Sequence, residues 1–118
     1  MAAYVFVNIT DNHFKVWGYD LFYAPDEGAG ETITYWGRIG QPMHKLNKKR
    51  KSFDYAPDAY GYAQQKVDEK LWKGYKAIPN SLYFVLIESA KGIAKLISIV
   101  EKMGEVHYYE PPKKRKVS

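Results

Sequence analysis

Within "ETITYWGRIG", residues 31–40, a tryptophan, a glycine and an arginine stand side by side near the end of a run with strand character. Strand alternation sends Ile33, Tyr35, Gly37 and Ile39 to one side and Thr32, Thr34, Trp36 and Arg38 to the other. The first set reads as the core face, so Trp36 and Arg38 are expected to project together from a polar face. An exposed indole can stack on another ring and a guanidinium can engage an anion, so the pair is a candidate binding surface. Gly37 falls between them on the core side, where a missing side chain admits a close neighbour or a bend. The competing reading is a tryptophan that only covers the margin of a hydrophobic core.

A second source of chemistry follows at once. "HKLNKKRKSF" carries Lys45, Lys48, Lys49, Arg50 and Lys51, and reads as a basic loop too polar for a core element. Beside Trp36 those cations would clamp phosphates and make binding steeply salt-dependent; alternatively they form a solvated loop or half of a bipartite import signal. A third cluster, Lys113, Lys114, Arg115 and Lys116 in "PPKKRKV", resembles a monopartite nuclear-import signal, a nonspecific polyanion anchor, or an appended import tag. It supplies four of the charges behind the net +5 of the chain, so bulk basicity is no argument for nucleic acid and local patches must carry it.

Other chemistries find little support. The chain has no cysteine, which removes thiolate nucleophiles and the commonest structural zinc sites. His13, His44 and His107 are not at metal-ligand spacings, and no glycine-rich strand-to-helix turn is built to cradle a nucleotide. No nucleophile motif or paired-carboxylate motif appears, so no enzyme and no cofactor are expected. The apolar runs "YFVLI" and "LISIV" are far short of a membrane span and no secretory leader is evident, so a soluble protein without a membrane partner is expected.

The elements that must position these residues fit one α+β domain over residues 1–110, with 111–118 as a basic flexible tail. Strands are expected at 4–10, 13–23 and 31–39, the last two joined by a hairpin loop at 24–30. Ala59, Ala63, Val67 and Leu71 recur at four-residue spacing, which predicts an amphipathic helix over 57–72, with Pro57 in its first turn and Gly74 at its stop. A fourth strand is expected at 81–88, a second helix at 90–104, and a short edge strand in "EVHYYE". The eleven tyrosines and three tryptophans agree with a β-rich sheet, a stacking surface, or both.

In this order the residues resemble a WGR domain, the module named for its Trp-Gly-Arg motif and found in DNA-damage-activated poly(ADP-ribose) polymerases and in bacterial proteins. The likeness runs through "YVFVNITDNHFKVWGYDL", "ITYWGRIGQ", the basic loop, "DAYGYAQQKVDEKLWKGY" and "IPNSLYFVLIE", residues 4–88, and leaves 89–110 as a helical extension. It implies a twisted antiparallel sheet of about four strands with one main helix across it, and DNA binding. By position it implies Trp36 against a terminal sugar, Gly37 as spacer, and Arg38 on phosphate or on a partner domain, although no catalytic or zinc-finger domain accompanies it here. The expected function is a non-enzymatic module for DNA backbone or ends, with RNA as an alternative, serving as accessory subunit of a larger nucleoprotein assembly. The alternative is a protein-interaction adaptor that docks through the Trp36/Arg38 face and the helix at 90–103. Nuclear localisation is expected if the tail is native; a bacterial cytoplasm or nucleoid is expected if it is an engineered tag.

Overall fold

The structure, a computed structural model, describes residues 3–24 and 28–103. Five strands, β1 (Tyr4–Asn8), β2 (Lys15–Ala24), β3 (Ala29–Arg38), β4 (Asn47–Phe53) and β5 (Lys76–Pro79), form one sheet in the order β4-β3-β2-β1-β5. Every adjacent pair is antiparallel. Among the described residues three helices complete the α+β fold: α1 (Ala56–Trp72), α2 (Asn80–Leu86) and α3 (Ala90–Met103).

The frame is the ten-residue strands of the β2–β3 hairpin, paired from Ala24 with Ala29 at the tip to Lys15 with Arg38 at the base. Its two faces are covered by different helices. On the first face α1 lays Ala59, Ala63 and Val67 over the sheet, and Val67 packs with Phe6, Trp17 and Ala77. On the second face Val5, Val7, Val16, Tyr35 and Ile78 meet Tyr83 and Leu86 of α2 and Leu96 and Val100 of α3. Burying one such aliphatic side chain contributes about 1.5–3 kcal/mol, so all three helices are held by packing rather than by propensity.

The first face corrects one expectation. Thr32 and Thr34 share it with Trp36 and Arg38 but are buried, because α1 crosses this part of β3. Thr32 Oγ1 satisfies its polarity by donating to the Ala59 carbonyl at 3.0 Å. Along β3 this face is therefore open only at the hairpin base, where Trp36 and Arg38 lie.

Two further expectations are overturned. Residues 81–88 are not a strand: Lys76–Pro79 is the strand, pairing with β1, and the chain then turns into α2. An unbroken apolar run does not fix its own period, and here Tyr83 and Leu86 are buried while Leu82 and Val85 are exposed, a helical spacing. The basic segment is not a loop either. A short 3-10 turn, Met43–Lys45, leads into β4, whose Lys48, Lys49, Arg50 and Lys51 all lie on an edge strand. Charged side chains are tolerated there because one edge and much of both faces meet water.

The helix at 57–72 is found at Ala56–Trp72, with a proline and Asp58 in its first turn. Its stop is built by Gly74 at φ +97: Gly74 N–H donates to Leu71 O at 3.1 Å and Tyr75 N–H to Lys70 O at 3.0 Å, the paired bonds of a left-handed helix cap. The expected helix at 90–104 is found at Ala90–Met103. The expected strand in "EVHYYE" and the basic tail fall outside the described residues.

Candidate nucleic-acid interface

Trp36 is the second-to-last position of the hairpin base on the first face, paired across β2 with the buried Trp17 and across β4 with Asn47. Phe6 backs Trp17, ring centroids 5.6 Å apart, so the floor under the base of the hairpin is rigid and apolar. Trp36 itself is 40% exposed. It opens into a surface cleft of about 570 Å³ whose walls include His13, Lys15, Arg38, Asn47, Lys70 and Tyr75. No carboxylate lines this cleft among the described residues.

Three local devices shape it. Gly37 projects to the second face, where a Cβ would overlap the side-chain amide of Gln41 and come within 2.6 Å of the Leu46 side chain. That room lets Gln41 Oε1 accept from the Arg38 N–H at 2.6 Å while Gln41 N–H donates back to Arg38 O at 3.2 Å. Ile39 N–H is bound by Phe14 O at 2.9 Å and Gly40 N–H donates to the Tyr83 hydroxyl at 3.4 Å, so the turn after the motif is tied to the sheet and to α2. Burial pushes the Tyr83 hydroxyl up to about 12, against the opposing effect of the Gly40 N–H, so it remains a neutral phenol through the neutral range.

The β1–β2 connection forms another wall. Asp11 (φ 50), Asn12 (φ 61) and Phe14 (φ 40) all occupy left-handed backbone, which is unremarkable for Asp and Asn but costs about 1–3 kcal/mol for a bulky residue such as phenylalanine. Asn8 braces the connection: its Oδ1 accepts from Thr10 N–H at 2.9 Å and Thr10 Oγ1 at 2.6 Å, and its Nδ2 donates to Lys73 O at 3.4 Å. The strained turn and the end of α1 are thus fixed to one another, with the cleft between them.

The third device is the capped end of α1. One turn beyond Val67, Lys70 lies half-buried, its Nζ 5.2 Å from the Tyr75 ring centroid and 5.8 Å from that of Trp17. Burial lowers its pKa first and the cations of Lys73 and Lys66 lower it further, while Glu69 pulls the other way and Lys15 adds the smallest lowering. A lysine held among like charges and over two ring faces is poised to gain from an arriving anion.

The sequence-predicted residues therefore separate. Trp36, Gly37 and Arg38 sit in the cleft or directly behind it. Lys49 and Lys51 share the first face with Trp36, further along β4, and Lys51 Nζ lies 4.5 Å from the Tyr62 centroid. Lys48 and Arg50 project from the second face, Arg50 Nε pairing with Glu31 at 2.9 Å. Lys45 is exposed in the turn before β4. Lys113, Lys114, Arg115 and Lys116 lie outside the described residues. The sequence reading missed Lys15, Lys70, His13, Asn47 and Gln41. Lys15 was within reach: counting back from the hairpin tip pairs it with Arg38. Lys70 was signalled only weakly, as the position three after Val67 at the margin of the apolar stripe.

A family model described as WGR domain matches residues 1–81. The chain belongs to the WGR domain family. Neither a curated protein nor a solved structure matches it. WGR domains are nucleic-acid-binding, non-catalytic modules, so the cleft around the family's namesake residues is the natural place to look for that binding. The match ends just after β5, at the start of α2, and so spans the whole sheet and α1. Most of α2 and all of α3 add to the WGR core the layer that covers its second face. Among the described residues no group of three or more His, Asp or Glu is disposed to hold a metal.

Proposed function

We propose that this WGR domain is a non-enzymatic DNA-binding module that takes a backbone or an end in the cleft at the base of the β2–β3 hairpin. The observation that carries the reading is the exposed Trp36 ring beside Lys15, Arg38 and Lys70 in a cleft lined by no carboxylate among the described residues. A terminal sugar or base rests on the indole, a contact worth about 1–3 kcal/mol and tolerant of sequence. Phosphates are met by Arg38, Lys15 and Lys70, and the strand continues past Lys49 and Lys51 on the same face. Lys48 and Arg50 contribute long-range attraction rather than contacts in the cleft.

Such a module delivers affinity rather than chemistry, which fits an accessory subunit of a larger nucleoprotein assembly. The adaptor alternative is less favoured because the apolar stripe of α3 is spent inside the chain, Leu96 and Val100 being buried against the sheet. The cluster from Lys113 to Lys116 is proposed as an import signal, giving nuclear localisation where it is native. Fluorescence-anisotropy titrations of blunt duplex, nicked duplex, closed circle, single strand and RNA over a salt series test the reading. Preference for linear over circular duplex, with steep salt dependence, is the expected result; equal affinity for circular and linear DNA removes the role of the end.

A further inference from the structure

The cations of β4 exceed what the cleft can use. Lys49 and Lys51 lie on the face of Trp36, whereas Lys48 and Arg50 point to the opposite face, beside a smaller cleft of about 270 Å³ floored by Ile33, Tyr35 and Met43. Asp20 also borders that cleft, two strands in from the edge, near the Tyr35 hydroxyl, which donates to Tyr19 O at 3.5 Å. Lys48 and Lys49 have no ion-pair partner among the described residues. Among the described residues β4 ends the sheet, pairs only with β3 and is exposed over residues 47–52, so its outer backbone groups face away from every described strand.

We infer that the open edge of β4 takes an extended acidic polypeptide segment as a sixth strand. A strand edge alternates N–H donors with C=O acceptors, which another polypeptide matches residue by residue. A phosphate backbone offers acceptors alone and leaves the carbonyls of the edge facing negative charge. Cations on both faces decide which polypeptide enters. A second copy of β4 would set lysine against lysine, and like charges opposite one another oppose pairing. A segment with carboxylates at successive positions meets Lys48 and Arg50 on one face and Lys49 and Lys51 on the other. At about 3.3 Å per residue, β4 offers room for a partner of roughly six to eight residues.

The test uses the whole chain and a short synthetic peptide of glutamate, aspartate and valine. Its controls are a version of the same charge with prolines at alternate positions and a version with lysine for every acid. Binding is read by anisotropy, and pairing by amide-exchange protection at residues 47–53. The acidic peptide is expected to bind and to protect those amides. The proline version should lose about tenfold or more in affinity because its missing N–H groups break the ladder, and the lysine version should not bind. Lys48→Glu with Arg50→Glu should weaken the peptide about tenfold while Trp36→Ala leaves it unchanged, which separates this surface from the nucleic-acid cleft. The inference is overturned if the proline version binds as well as its parent, or if duplex DNA rather than the peptide protects 47–53.

Discussion

The two ends of the β2–β3 hairpin both present aromatic rings to water, yet they are prepared for different company. At the tip, Phe22 and Tyr23 are about as open as Trp36 is at the base, with relative exposures of 49%, 50% and 40%. The surface beside the tip rings carries Glu31 and Asp54, whereas the cleft at the base carries His13, Lys15, Arg38 and Lys70. Exposed rings alone therefore do not mark a polyanion site in this molecule. In the proposed binding mode the charge sign around the ring is what sets the base apart, because a stacked sugar brings phosphates that carboxylates repel and cations hold.

The contrast can be broken most forcefully by inverting the charge at the base. Lys15→Glu with Lys70→Glu should reduce duplex affinity about a hundredfold at low salt and flatten the dependence of log affinity on log salt by roughly two units, as expected for two lost phosphate contacts replaced by repulsion. Anisotropy across a salt series checks both. Arg38→Gln comes next, with a loss of about tenfold, since it removes one charge-assisted contact while leaving the Gln41 bond to the backbone in place. A pH series from about 7 to about 10 sharpens the comparison further. Lys70 is lowered from the ordinary lysine value, and its protonated form is the one that holds an anion, so affinity is full below that lowered pKa and falls as pH rises through it. Lys70→Arg, which keeps its charge at every pH in this range, should abolish that decline. The smallest effect belongs to the tip: Tyr23→Ala should change DNA affinity less than about twofold, whereas a large loss there would dissolve the distinction between the ends.

The scaffold behind the motif yields a stability prediction of its own. Gly37→Ala places a methyl against Gln41 and Leu46, an overpacking that costs typically about 1–3 kcal/mol. Thermal unfolding should show a lowered Tm, and DNA affinity measured on the folded fraction should fall because Gln41 can no longer hold the Arg38 backbone.

What could be read from the residues followed from how local each signal was. Ala59, Ala63 and Val67 encode α1 by spacing alone, and Gly74 encodes its stop, because both depend on the helix's own geometry. The outward direction of Trp36 and Arg38 followed from alternation within one strand. Thr32 and Thr34 defeated the same rule, since a residue's face is set locally but its burial is set by α1 arriving from elsewhere in the chain. β4 was hidden because its composition says loop while its strand state is imposed by pairing with β3, and α2 was hidden because an unbroken apolar run fits helix and strand equally. Lys70 belongs to the cleft through the packing of α1 over Trp17, which no short window contains.

In the proposed binding mode the Trp36 ring is the surface on which a DNA end rests. The most direct measurement is the affinity of wild type and Trp36→Ala for a blunt duplex over the same salt series. Because the indole carries no charge, the two salt slopes should be parallel, with the variant weaker by about tenfold at every point, the size of one lost stacking contact. Superimposed curves would contradict the account, since the cations would then bind DNA without the ring.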